Sequence, residues 1–131
     1  MRVLIDTHVF LWFIGESSRL SLAVRETLEF NSPTVQISIA SIWEMSIKSS
    51  SGNLDIVGGF AAIEQVLIEN DIDILQIDFN HTLANHGLQS HHKDPFDRMI
   101  AAQAIVEGID LISVDDIFDS YFAGTEVKRI W

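Results

Sequence analysis

The chain of 131 residues has no cysteine. Disulfides, thiolate metal ligands and a cysteine nucleophile are therefore ruled out together, and a reducing compartment fits. No apolar run reaches the length of a membrane span, and the N-terminus opens directly into a strand pattern rather than a leader. The expectation is a cytoplasmic protein with no membrane partner. Positive charge is scarce: eight Lys and Arg stand against nineteen Asp and Glu, a formal charge of −11. A surface of that sign repels polyanions at long range, which disfavours a general nucleic-acid binder unless many of the acids gather round bound cations. Repeats, low-complexity tracts and linkers are also missing, so residues 1–131 read as one domain.

What is present is the composition of a folded globule, 47% hydrophobic, set out as short aliphatic runs alternating with helical patterns. RVLID (2–6), VQIS (35–38), IDILQID (72–78), LISVD (111–115) and EVKRI (126–130) predict strands. Between them, THVFLWFIG closed by Gly15, SLAVRETLEF (21–30) with Ser21 near its cap, ASIWEMSIKSS (40–50), GGFAAIEQVLIEN (58–70), HTLANHGLQS (81–90) and IFDSYF (117–122) predict helices, with NSP (31–33) as a break. Strands alternating with helices argue for an α/β fold with a parallel sheet covered on both faces. Ligands in such folds gather beyond the carboxyl ends of the strands.

Within HHKDPFDRMIAAQA (91–104), DPFD starts a further helix. Asp94 is placed as N-cap, Pro95 as N1 and Asp97 as N3, and Gly108 closes the segment. Capping alone accounts for both aspartates on this stretch. Asp6 and Asp115, however, end strand patterns, Glu44 lies on the helix after VQIS, and Asp97 begins the helix leading into LISVD. Unit charges about 4 Å apart repel by roughly 4 kcal/mol at an effective dielectric near 20. Either some of these acids are protonated or a cation sits between them. Oxygen-only ligands suit Mg²⁺, with Mn²⁺ as the other candidate, and such an ion activates water in phosphodiester cleavage.

LIDTHVFLW, SIWEMSIK, HHKDPFDRMIAAQA and LISVD, in that order and spacing, resemble the PIN-domain ribonucleases, and among them the VapC-like toxins of toxin–antitoxin modules. The likeness spans essentially the whole chain, including the RLS segment and the closing VKRIW. It implies a three-layer α/β/α sandwich with a central parallel sheet and a Mg²⁺-dependent endoribonuclease site. It also implies a homodimer and a cognate antitoxin. By position, Asp6, Glu44, Asp97 and Asp115 match the family's metal-site acids, and Asp94 matches an extra acid of the toxin subgroup. Asp116 follows directly, so two adjacent acids compete for the fourth place; Asp115 is the expected one. Setting the six acids aside still leaves the chain at −5. RNA contact would then rely on local cations such as Lys48, Lys93 and Arg98, or on a dimer groove.

Several residues carry two readings. Lys48, four after Glu44, forms either a helix ion pair or a phosphate contact. Ser113 orients a water or satisfies its own hydroxyl at the strand end. The histidines at 81, 86 and 91/92 do not stack on one helical face and there is no HExxH, so they read as loop or surface residues, with His91 or His92 open to substrate contact. His8 packs or hydrogen-bonds near the site. Trp12, Trp43 and Trp131 read as core or interface aromatics. A phospho-aspartyl hydrolase is excluded because His8 stands where a second acid is needed. Two rivals remain: a receiver-like signalling domain, which lacks its paired acids after the first strand, and a catalytically inactive PIN fold acting by binding alone.

Overall fold

The computed structural model describes residues 2–30, 33–91 and 93–131. Asn31 and Ser32 of the expected break, and the contact expected of His92, lie outside them. Five strands, β1 (Arg2–Ile5), β2 (Thr34–Ser38), β3 (Ile72–Leu75), β4 (Asp110–Ile112) and β5 (Arg129–Ile130), form one parallel sheet in the order β3-β2-β1-β4-β5. Ile5 stands beside Ile37 on one side and Ile112 on the other. The chain thus steps outward from β1 to β3, then returns to the opposite side of β1.

The helices are α1 (Thr7–Ile14), α2 (Leu22–Phe30), α3 (Ile39–Ser50), α4 (Ile63–Glu69), α5 (Phe79–Gly87), α6 (Pro95–Glu107) and α7 (Ile117–Phe122). Alternation along the central strand sorts them into layers. Val3 and Ile5 enter one core with Val9 and Phe10 of α1, Val24 and Leu28 of α2, Met45 of α3 and Leu67 of α4. Leu4 points the other way, to Ile100, Ala101 and Ala104 of α6 and Phe118 and Phe122 of α7. This is the three-layer α/β/α sandwich. Fully burying a side chain such as Phe10 or Phe118 contributes roughly 1.5–3 kcal/mol. None of the described helices is long and apolar enough to cross a membrane.

Four strands are shorter than their apolar patterns predict: β1 by one residue, because Asp6 caps α1, and three others, each for a local reason. β3 ends at Leu75 because Asp78 caps α5, its carboxylate accepting from the His81 N–H at 3.1 Å, and α5 therefore begins two residues early at Phe79. β4 ends at Ile112 because the Ser113 hydroxyl accepts from the Asp115 N–H at 3.0 Å and Asp115 Oδ1 from the Ile117 N–H at 3.1 Å. Before β5, the Thr125 hydroxyl accepts from the Val127 N–H at 3.2 Å. Side chains that bond to nearby backbone offer the chain an alternative to the ladder. The 58–70 segment also opens differently: Gly58 and Gly59 have φ near +80°, and a 3-10 turn (Phe60–Ala62) precedes α4.

Candidate functional site

The sheet order reverses between β1 and β4, and the crevice at that switch point is where an α/β fold collects its ligand-facing residues. Asp6 lies in it. Its N–H donates to the Ile112 carbonyl at 3.2 Å, while Oδ1 caps α1 by accepting from the Val9 N–H at 2.8 Å. Oδ2 accepts from the Ser113 hydroxyl at 2.5 Å. The side chain is 3% exposed. Burial raises its pKa above the usual carboxylate value, the Ser113 and Val9 bonds pull it down, and the neighbouring Asp115 charge raises it.

Glu44 comes from the middle of α3 and is 2% exposed. The Thr7 hydroxyl donates to Oε1 at 2.7 Å and the Lys48 ammonium contacts Oε2 at 2.6 Å. Sequence reasoning assigns Thr7 no role. The signal it did carry is its place, a buried hydroxyl opening the helix directly after the strand-end acid. The Lys48 contact is the helix ion pair, made between a half-exposed ammonium and a buried carboxylate.

At the start of α6, Asp94 is the N-cap, with Oδ1 accepting from the Phe96 and Asp97 N–H groups at 2.8 and 3.2 Å, and Pro95 follows at N1. Asp97 is half-buried in the first turn. Its carboxyl is pushed up to about 7, by burial first, then by the charges of Asp94, Asp6, Glu44 and Asp115. Asp97 is thus the point at which the other acids are felt together. Of the adjacent pair, Asp115 acts on both Asp6 and Asp97, whereas Asp116 is exposed at the start of α7 without a side-chain cap bond and acts on Arg129. Arg129, absent from the sequence-based candidates, donates to the Ser113 carbonyl at 3.1 Å and pairs with Asp119. It braces the loop that carries Ser113 and Asp115.

Two expectations change. Arg98 is engaged elsewhere: its guanidinium donates to the carbonyls of Asn85, Leu88 and Gln89 and to Asn85 Oδ1. These acceptors lie at and just past the end of α5, and Arg98 ties them to α6. His81 is not a surface residue but 1% exposed. Its Nδ1 accepts from the Asp78 N–H at 3.0 Å and its Nε2 lies 2.9 Å from Glu107, which also meets Arg2 at 3.4 Å. His8 is exposed beside Asp6, its ring 5.9 Å from Trp12.

Asp78, His81 and Glu107 are the one described group of three whose possible ligand atoms lie within 4.8 Å of one another. Both ring nitrogens of His81 are already used, however, and Arg2 supplies Glu107 with its cation. A capping box accounts for this cluster. Asp6, Glu44, Asp97 and Asp115 do not form such a group among the described residues. Their all-oxygen donor set is of the kind that suits a hard ion such as Mg²⁺ or Mn²⁺, which retains several waters, rather than Zn²⁺.

A parallel sheet with acids just after β1, on α3, at the start of α6 and in the β4–α7 loop, whose charges act together on Asp97, defines a class of acid-site α/β domains. The chain belongs to the PIN domain family, whose model matches residues 3–122. Solved structures share the fold over the full length. VapBC2 from Rickettsia felis, bound to a promoter DNA fragment, aligns with a TM-score of 0.75 at 15% identity, covering 100% of both chains. VapBC from Salmonella typhimurium, bound to DNA, gives 0.71 at 16%, covering 98% of each. VapBC-1 from nontypeable Haemophilus influenzae gives 0.71 at 17%, covering 99% of this chain and 97% of that one. No curated protein matches the sequence.

Proposed function

We propose that residues 1–131 act as a single Mg²⁺- or Mn²⁺-dependent endoribonuclease domain, the toxin of a two-protein toxin–antitoxin module working in the cytoplasm. The observation that carries this reading is the convergence on Asp97 of the charges of Asp6, Glu44 and Asp115. Asp6, Glu44, Asp97 and Asp115 would hold the metal. When bound, the ion supplies water activation and charge stabilisation for phosphodiester hydrolysis. The chain's own groups prepare the site. Ser113 and the Val9 N–H fix the Asp6 carboxylate, Thr7 fixes Glu44, and Asp94 closes the first turn beneath Asp97. Burial keeps bulk water from screening Asp6 and Glu44. An inactive PIN fold would have no use for so costly an arrangement.

The cognate antitoxin is supported by the VapBC neighbours, each an assembly of two proteins by its name. A homodimer is supported by exposed apolar side chains on α3 and α5, Trp43 at 61%, Phe79 at 77% and Leu83 at 58%, with Trp43 packed edge-on against Phe96 at 5.4 Å. RNA cleavage by the purified protein should require Mg²⁺ or Mn²⁺ and stop in EDTA. Cleavage that persists in chelator would overturn the metal mechanism. Growth arrest on expression, relieved by the product of a neighbouring gene, is expected of a toxin and not of a housekeeping nuclease.

A further inference from the structure

Lys48 is more than one half of a surface ion pair. An exposed i,i+4 pair contributes little because both charges remain hydrated. Here the two ends differ: the Glu44 side chain is 3% exposed and that of Lys48 45%. Glu44 has given up its water; the Thr7 hydroxyl donates to Oε1 and the Lys48 ammonium contacts Oε2, and of these two only Lys48 carries charge. The ammonium also lies within the field of Asp94 and Asp97. A cation on a four-carbon stem therefore stands at the edge of the acids that a metal would join.

We infer that Lys48 is a tethered counter-cation of the metal-free site, which stabilises Glu44 in the absence of metal and competes with the divalent ion for it. The inference rests on the proposed metal site. Lys48 is a positioning residue: it acts on the metal through Glu44. Its charge opposes the arriving ion at close range, so it lowers metal affinity while it supports the empty fold. A structural brace would do the reverse, since its loss would disorder Glu44 and weaken binding.

Calorimetric titration of Mg²⁺ and Mn²⁺ into the metal-free full chain, with thermal melts in EDTA, separates the two. Lys48→Met keeps the stem and removes the charge. It should bind metal on the order of tenfold more tightly than wild type, while melting at a lower temperature without metal. Lys48→Arg keeps the charge and should bind like wild type; it also provides the comparison should Lys48→Met fail to fold, since an Arg variant with weakened binding overturns the inference by showing that ammonium geometry rather than charge matters. Unchanged or weaker binding by Lys48→Met overturns it too, with the metal site intact. Absence of binding by wild type as well as both variants overturns the metal-site reading and this inference together.

Discussion

The two ends of α6 hold acids in opposite ways. At its C-terminal end Glu107 meets the buried His81 ring and the Arg2 guanidinium, and His81 is itself bonded to Asp78. Each charge or dipole there has its complement within the chain. At the N-terminal end Asp97 faces Asp94, Asp6, Glu44 and Asp115, and is pushed up to about 7. The difference separates an acidic group whose partners complete the fold from one whose neighbours are other acids. Buried groups in a structural network are satisfied because leaving them otherwise is expensive. A carboxyl pushed far from its ordinary value by burial and neighbouring acids is the better candidate for a ligand site.

The largest effect should come from breaking the N-terminal side. Asp6→Asn keeps an oxygen to cap α1 through the Val9 N–H and removes the charge. RNA cleavage should fall by more than about 100-fold, beyond the roughly 10–100-fold typical of a residue that only supports a metal ligand. Retained cleavage would remove Asp6 from the site. The matching change at the other end is Glu107→Ala, which strips His81 of its carboxylate partner and Arg2 of its ion pair. Urea unfolding should show a loss of about 1–3 kcal/mol, with metal-dependent cleavage unchanged. Lost cleavage at unchanged stability would mean that the two ends have been assigned the wrong way round.

The parts of this contrast were not equally legible in the sequence. The layers were, because RVLI, VQIS and LIS are short, mainly aliphatic runs between helical patterns, as strands buried on both faces are. DPFD was legible as a helix start because Asp, Pro and Asp act over three residues of local backbone. The strand ends were not, since at Gln76, Ser113 and Val127 the decision lies with single side-chain-to-backbone bonds that an apolar pattern does not register. Nor was His81, whose burial depends on Glu107, 26 residues away. The same holds for Thr7: its hydroxyl meets Glu44 across 37 residues, and only the packing of α1 against α3 brings them together.

The finest test of the contrast is a stability difference at Asp97. The carboxyl is pushed up to about 7 in the folded chain against 3.8 in its ordinary state. Between those values the native protein holds a proton that the unfolded chain has lost. Stability of the metal-free protein must therefore decline as pH rises through that window, and the decline is complete above about pH 7. Partial exposure of the carboxylate keeps the effect well below the full value of the shift, at about 1–2 kcal/mol. Asp97→Asn retains the shape at N3 and removes the titration, at a cost of about 0.3–1 kcal/mol for losing an anion at a helix N-terminus. Near pH 8 without metal the variant should equal wild type or exceed it slightly; near pH 5 it should be no more stable. Asp6 is also raised, so the variant's own decline should shrink without vanishing. Saturating Mg²⁺ should favour wild type at pH 8, because a ligand carboxylate must be deprotonated and binding to the native state adds to stability. Urea melts at both pH values, with and without Mg²⁺, measure all four quantities. If metal-free wild type instead outlasts the variant at pH 8 and both respond equally to Mg²⁺, Asp97 serves the helix alone, and the two ends of α6 differ less than their geometry implies.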